Sequence, residues 1–367
     1  MFGKTVLKWI MLASNFVAVL FMLLTLIGTK VSPDTFIFPS YFALFYPFIL
    51  ILNIGFVIFW LLARKWFFLL SLSLLLFSSA EINETFPVHF GKKSSISSSN
   101  KTIHLLTYNT MACGMLVKHT RKKPNKVIQY ILDSNADIVC LQEFTVSTKK
   151  EYLTHADMMR IFRKYPYKHI QYKQKNVLGW GGVATFSMFP IVNKQRIYYP
   201  SGFNISIFSD IQVDGKTIRV VNNHLESNKI TENDKKLTIK LKEDFDTEKL
   251  SGLTLHFTRK LGSAYKMRAT QADEVAKVIA ASPYKVIVCG DFNDVPASYA
   301  YTTVKGKLND AFEETGTGLG WTFNDRFYHF RIDYVLYDST AFTPVKYLVD
   351  KVNYSDHYPV LCQLKMK

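Results

Sequence analysis

Val-Ile-Val-Cys-Gly-Asp-Phe-Asn, residues 286–293, decides how this chain is to be read. Three β-branched residues and a cysteine make a short buried strand, which stops at a glycine, a carboxylate and a carboxamide. Outward from it in both directions the same design recurs. Thr102–Asn109 (TIHLLTYN), Asp137–Gln142 (DIVCLQ, followed by Glu143), Gly182–Ser187 (GVATFS) and Thr217–Asn223 (TIRVVNN, followed by His224) are apolar runs with polar ends. Further strands are expected at Asp333–Tyr337, opened by Arg331-Ile332-Asp333-Tyr334, and at Pro359–Leu364, preceded by Ser355-Asp356-His357. Between them, Pro124–Asn135 begins with a proline suited to a first helical turn, and Ala264–Ala281 sets Met267, Ala272, Val275, Val278 and Ile279 close to one helical face. Mixed strands and helices predict an α/β body.

Strand ends are where open α/β sheets gather catalytic groups, because a rigid strand aims its last side chain into a crevice. Collected at these ends are four carboxylates (Glu143, Asp291, Asp333, Asp356), two imidazoles (His224, His357) and the carboxamides of Asn109 and Asn293. Oxygen ligands without a thiolate select a hard cation, Mg2+ or Mn2+, over structural zinc. Imidazoles beside such an ion can serve as acid, base or transition-state donor. Hydrolysis of a phosphate ester is the chemistry this collection suits. Each piece alone has a plain structural reading: a lone histidine is more often a satisfied core residue, and a glycine before Asp291 fits any tight turn. Their joint occurrence carries the weight.

In chain order, Thr107-Tyr108-Asn109, Leu141-Gln142-Glu143, Gly-Gly-Val-Ala-Thr-Phe-Ser at 181–187, Asn223-His224-Leu225, Gly-Asp-Phe-Asn at 290–293, Arg-Ile-Asp-Tyr at 331–334 and Ser-Asp-His-Tyr-Pro-Val at 355–360 resemble the endonuclease/exonuclease/phosphatase superfamily. Deoxyribonuclease I, abasic-site endonucleases, bacterial sphingomyelinases and inositol phosphatases belong to it. The resemblance covers 101–367 and implies a four-layer α/β sandwich, two stacked mixed sheets flanked by helices, with the site at one end. Carried over motif by motif, it implies Glu143 as principal metal ligand with Asn109 and Asp356 beside it. Asp291 and Asn293 would orient the attacking water and the phosphate. His357 would be the base or transition-state donor, held by Asp333, and His224 would donate to a phosphate oxygen. Arg331 and Trp321 are the expected substrate contacts. One part of the pattern does not transfer: some members place a tyrosine and an acid before the Gly-Gly motif, the acid orienting the first histidine. Here Tyr172-Lys173-Gln174 has no acid, so the group that orients His224 is unassigned.

The 367 residues carry 45 basic and 29 acidic side chains, unevenly spread. Residues 1–91 hold five basic and three acidic side chains, so +14 of the net +16 falls on the remainder. With 48% apolar residues and four cysteines the chain is neither disordered nor a disulfide scaffold. Thr5–Gly28 is long enough to span a hydrocarbon core of ~30 Å. Its length and a second apolar run, Tyr41–Ala63, disfavour the competing signal-peptide reading. Trp66–Ala80 is a third, shorter run, a crossing or a re-entrant segment. Lys4, Lys8 and the Arg64-Lys65 turn place the N-terminus in the cytoplasm. If the third run crosses, the body lies on the non-cytoplasmic side, periplasmic or extracellular; otherwise it is cytoplasmic. The expected organisation is an anchor of two or three transmembrane helices over 1–85, a flexible Ser-rich tether over 86–100 and a catalytic domain over 101–367, a membrane-anchored bacterial type of the family.

Glu226–Lys260 reads as a charged, partly helical excursion over the body, either a solvated face or a lid. Cys113, Cys140, Cys289 and Cys362 read as small core residues. The basic body suits nucleic acid, with Trp180 and Trp321 available to stack on a base, whereas anchoring in a bilayer suits a lipid headgroup. The expected activity is a nuclease-type phosphodiesterase. A lipid-headgroup phosphodiesterase or small-molecule phosphatase is the alternative among enzymes, and a catalytically silent binding module the alternative outside them.

Overall fold

The computed structural model describes residues 2–89, 101–114, 118–120, 122–175, 179–243, 247–325 and 328–367. Most of the expected tether, 90–100, lies outside the described residues. The chain divides into two compact units. Met1–Ile82, Glu226–Gln271 and Ala297–Thr302 form one, and Asn83–Leu225, Ala272–Pro296 and Thr303–Lys367 form the other.

The larger unit is the four-layer α/β sandwich. One sheet contains Thr102–Asn109 (β1), Ile138–Ser147 (β2), Tyr167–Lys175 (β3), Gly179–Ser187 (β4), Phe342–Val349 (β13) and Val360–Met366 (β14). The other contains Ile191–Ile197 (β5), Ser206–Val213 (β6), Lys216–His224 (β7), Lys285–Asp291 (β8), Asn309–Asp310 (β9) and Asp333–Tyr337 (β12). A short ribbon pairs Phe323–Asn324 (β10) with His329–Phe330 (β11). The six-stranded sheets run β13-β14-β1-β2-β4-β3 and β5-β6-β7-β8-β12-β9. β1 with β2, and β7 with β8, are the parallel pairs, each at the heart of its sheet.

Period-two alternation explains the layers. Ile103 and Leu105 of β1, Ile138 and Cys140 of β2, Val220 of β7, Ile287 and Cys289 of β8, and Val335 of β12 share one core between the sheets. The intervening Leu106, Tyr108, Val139 and Leu141 face the other way, onto Val127, Ile128 and Ile131 of the helix Lys126–Asp133 and Met158 of the helix His155–Ile161. The first of these helices is shorter than its sequence suggests: Asn125 caps it, Oδ1 accepting from Ile128 N at 3.2 Å, so Pro124 lies outside the first turn. All four cysteines are buried free thiols.

In the smaller unit, Thr5–Lys30 and Phe38–Leu62 are long and apolar enough to cross a membrane. The third expected run is helical over Phe68–Phe77, about 15 Å at the α-helical rise, and a separate helix, Ser79–Thr85, follows. A closed polar network joins these helices. Asn15 Nδ2 donates to Ser71 Oγ at 2.6 Å, Ser71 Oγ to Asn53 Oδ1 at 2.9 Å, and Trp60 Nε1 to Asn15 Oδ1 at 3.0 Å. The charged excursion forms the helix Glu232–Glu243 and the start of the helix Thr247–Ala280, which extends well before the expected Ala264. It groups with the N-terminal helices, and Tyr41 Oη donates to the Thr258 carbonyl at 2.9 Å.

Candidate active site

The alternation that buries Ile103 and Leu105 also decides which polar residues meet. Asn109, Gln142, His224, Asp291 and Asp333 share parity with the inward-facing core residues of their strands. Register then lines them up: Asn109 stands opposite Gln142, His224 opposite Asp291, and Asp291 opposite Asp333. Gly290 makes the β7–β8 approach possible. Its φ is +125°, and a Cβ there would lie 2.1 Å from the Asn223 carbonyl oxygen.

Direct bonds tie the two sheets at this end: Asn109 Nδ2 donates to Asp291 Oδ2 at 2.9 Å, and Gln142 Nε2 to Asn222 Oδ1 at 2.7 Å. Asn293 wraps the same carboxylate, its backbone N–H reaching Oδ1 at 2.8 Å and its Nδ2 reaching Oδ2 at 3.2 Å. A φ of +52° at Asn293 and +51° at Glu143 marks both as strained, as functional turns often are. At Glu143 the cause is visible: the β2–β4 register slips between Leu141 and Phe144, and this bulge turns the carboxylate out of the strand's alternation. Its side chain is 42% exposed and its Oε1 lies 3.9 Å from His224 Nε2, which is also 3.9 Å from Asp291 Oδ2.

His357 is buried, its Nδ1 donating to Asp333 Oδ2 at 2.9 Å and its Nε2 standing 3.7 Å from Asp291 Oδ2. Asp333 is held in turn by Thr322, whose Oγ1 accepts the Ile332 and Asp333 N–H groups at 3.0 Å each. Ser355 Oγ donates to the Asn109 carbonyl at 2.9 Å and to Asp356 Oδ1 at 3.1 Å, fixing the loop before β14 against the end of β1. Thr322 had no signal of its own in the sequence, and Ser355 was read only as part of the Ser-Asp-His motif. Their roles are to hold other side chains, and only tertiary neighbours reveal that.

The sequence model of the Endonuclease/Exonuclease/phosphatase family matches residues 106–357, well over half of the chain. The chain belongs to this family. A second family, a domain of unknown function (DUF8431), matches residues 8–85. Among curated proteins none matches. Similar solved structures include the human Nocturnin catalytic domain with bound sulfate, 18% identical over 72% of this chain and 95% of that one, with a TM-score of 0.48. A D. rerio TDP2 humanized by 14 mutations is 15% identical over 72% of this chain and 98% of that one, TM-score 0.48. A family member from Beutenbergia cavernae is 16% identical over 72% of each chain, TM-score 0.48. As a member of the endonuclease/exonuclease/phosphatase family, the chain is a phosphoester hydrolase.

In this family member the charge balance of the site invites a cation. Among the described residues no lysine or arginine pairs with Glu143, Asp291, Asp333 or Asp356, and Asp333 Oδ1 is buried without a partner. Burial pushes Asp291 up to about 6 against the pull of His357. Burial works against a charged His357, yet Asp333 and Asp291 outweigh it and raise the ring to about 10. Burial and then the Asp356 charge raise Glu143; with 42% of its side chain facing solvent, Asp356 is the firmer cause. Asp291, Asp333 and His357 bring three donor atoms within 4.8 Å of one another, a set that does not include the expected ligands Asn109, Glu143 and Asp356. The His357–Asp333 hydrogen bond takes up Nδ1 and Oδ2, whereas the Glu143 carboxylate is partly exposed, with Asn109 Nδ2 3.4 Å from Oε1 and His224 Nε2 3.9 Å away.

Trp321 is 43% exposed, its ring 5.2 Å from that of His329, and it precedes Thr322 at the rim of the site. Arg331 departs from expectation. It is 3% exposed, its Nη1 lies 2.6 Å from Asp310 Oδ2, its Nη2 donates to the Glu84 carbonyl, and its guanidinium covers the Phe312 ring at 4.6 Å. This side chain builds the body and presents no free surface to a substrate. Tyr172, the candidate tyrosine, packs on Phe144 in the outer core. The acids near His224 are therefore Glu143 and Asp291.

Proposed function

We propose that the chain is a membrane-anchored phosphodiesterase that uses Mg2+ or Mn2+ and cleaves nucleic acid from its basic body. The observation that carries the chemistry is the convergence of Asp291, His224 and His357 at adjoining strand ends, with Asp291 held by Asn109 and Asn293. Asp291, raised toward neutrality, is suited to take the proton of a water attacking phosphorus in line, while the bond to the leaving oxygen breaks. His357, held protonated by two carboxylates, is a donor to developing negative charge rather than a base. His224 donates from the other side. Glu143, with Asn109 and Asp356, would hold the divalent ion, which supplies charge neutralisation at the phosphate when bound.

Anchoring is supported by the two membrane-length helices and by the path of the third run. That run starts at Phe67, whose ring lies 5.3 Å from Lys8 Nζ, and reaches Ile82, which packs with Met22, Leu26 and Tyr46. A run with one end near Lys8 and the other beside Met22 and Leu26 supports a body on the non-cytoplasmic side, if Lys8, Arg64 and Lys65 face the cytoplasm. The same helices favour the second reading, a lipid-headgroup diester as substrate.

The test is the purified full-length protein in detergent, given Mg2+ and a panel of DNA, RNA, sphingomyelin and soluble phosphomonoesters. Cleavage of nucleic acid, abolished by EDTA and restored by Mg2+ or Mn2+, is expected. Preference for sphingomyelin would replace the nuclease reading with the lipid one, and EDTA-resistant turnover would remove the metal.

A further inference from the structure

The excursion after His224 is built unlike an ordinary solvated surface. The helix Glu232–Glu243 and the first turns of Thr247–Ala280 carry many charges, yet Leu237, Ile239, Leu250 and Leu255 are exposed, Leu255 by 50%. Asp234 clips the two helices together, bonding His256 Nε2 at 2.8 Å and pairing with Lys260. What the second of them packs against is Tyr41, in the first turn of the second membrane-length helix. Besides the Tyr41–Thr258 bond, the Tyr41 ring meets Tyr265 at 5.7 Å, and a Cβ on Gly262 would lie 2.6 Å from Tyr41 Oη.

We infer that this helical pair is a membrane-surface element, its exposed leucines seated among the glycerol and upper acyl groups of the bilayer and its lysines at the lipid phosphates. The inference rests on reading Thr5–Lys30 and Phe38–Leu62 as membrane-spanning. The first turn of such a span sits near the water boundary, so what is bonded to Tyr41, three residues after Phe38, is held close to that level. Phe36 just before the span and Phe38 at its start are exposed, as suits side chains at a headgroup boundary. Leu255 precedes Gly262 by seven residues, two helical turns, and so lies on the helix face that meets Tyr41. Lys236, Arg259 and Lys266 are exposed nearby and supply the cationic partner for phosphate. Exposed leucines interspersed with basic side chains, fixed near the bilayer boundary by their own chain, fit a lipid surface better than water.

The experiment uses the full-length protein in vesicles of phosphatidylethanolamine and phosphatidylglycerol, with a fluorescent label at Leu255→Cys, Phe48→Cys or Lys351→Cys in separate samples; the native thiols are buried and stay unlabelled. Phe48 is exposed on an apolar helix and Lys351 is exposed on the body. The Leu255 label should be quenched by brominated lipid at several times the level of the Lys351 label, should resist iodide, and should lose both properties in a Tyr41→Ala background. A Leu255 label as open to iodide as the Lys351 label, with the Phe48 label still quenched by lipid, overturns the surface element and leaves the anchor standing. Iodide access to the Phe48 label as well overturns the anchor reading, and this one with it.

Discussion

Asp291 and Arg331 show how two charged residues, both in motifs of the sequence, part company in the fold. Asp291 ends β8 on the inward face, beside both imidazoles, and burial raises its carboxylate to about 6. Asp291→Asn should keep the melting temperature and lower turnover at least ~100-fold, the usual scale for an acid–base group, in a single-turnover assay. Turnover within a few-fold of the parent would dismiss it as the base. Arg331 is locked to buried Asp310 instead. Arg331→Ala should cost about 3–5 kcal/mol, because Asp310 is left as an uncompensated buried charge, and should leave KM of the folded fraction unchanged. Thermal denaturation beside steady-state kinetics separates the two roles, since a substrate contact would raise KM at constant stability. The motif flagged both residues; whether a strand end turns a side chain inward or into a salt bridge depends on partners far away in sequence.

Most interior strands were legible, whereas interior β6, interrupted by Ser206, Ser209 and Asp210, and the edge strands β3 and β5 were not. β1, β2, β7, β8 and β12 are apolar runs covered on both faces, so they stand out from their surroundings. β5, Ile-Val-Asn-Lys-Gln-Arg-Ile, is an edge strand whose exposed positions take the polar residues that edges need, and β3, at the other sheet's edge, has the same character. Where β3 meets the second sheet, His169 Nδ1 bonds Ser209 Oγ at 2.9 Å, and burial lowers the ring to about 4. An unfolded histidine titrates near ~6.5, so between these values the unfolded chain binds the extra proton. Stability is therefore full above that upper value and falls as pH drops through the window toward 4, by up to ~3 kcal/mol. Replacing the ring by His169→Asn should flatten the decline of melting temperature between the two pH values. An unchanged slope would show that other groups carry it.

At the scale of the whole molecule, the uneven charge has a measurable consequence. If the +14 outside the first 91 residues meets nucleic acid, counterion release makes kcat/KM on DNA fall steeply and log-linearly with salt, while a small soluble diester responds weakly. Equal salt dependence for both substrates would remove the basic surface as a reason for the nuclease reading. The division into units also changes what the charged excursion means, since residues 226–271 group with the N-terminal helices rather than with the sheets they interrupt.

By itself the sequence determined the family and the α/β class and singled out candidate site residues, because each motif is a local event in which an apolar strand stops at a polar side chain. Two membrane-length runs were equally plain, since length and hydropathy are local properties. Tertiary structure alone decided the bulge that turns Glu143, the burial of Arg331 and the grouping of the excursion with the N-terminal helices. Each of these depends on a neighbour distant in the chain, and burial or charge pairing has no energy until that neighbour arrives.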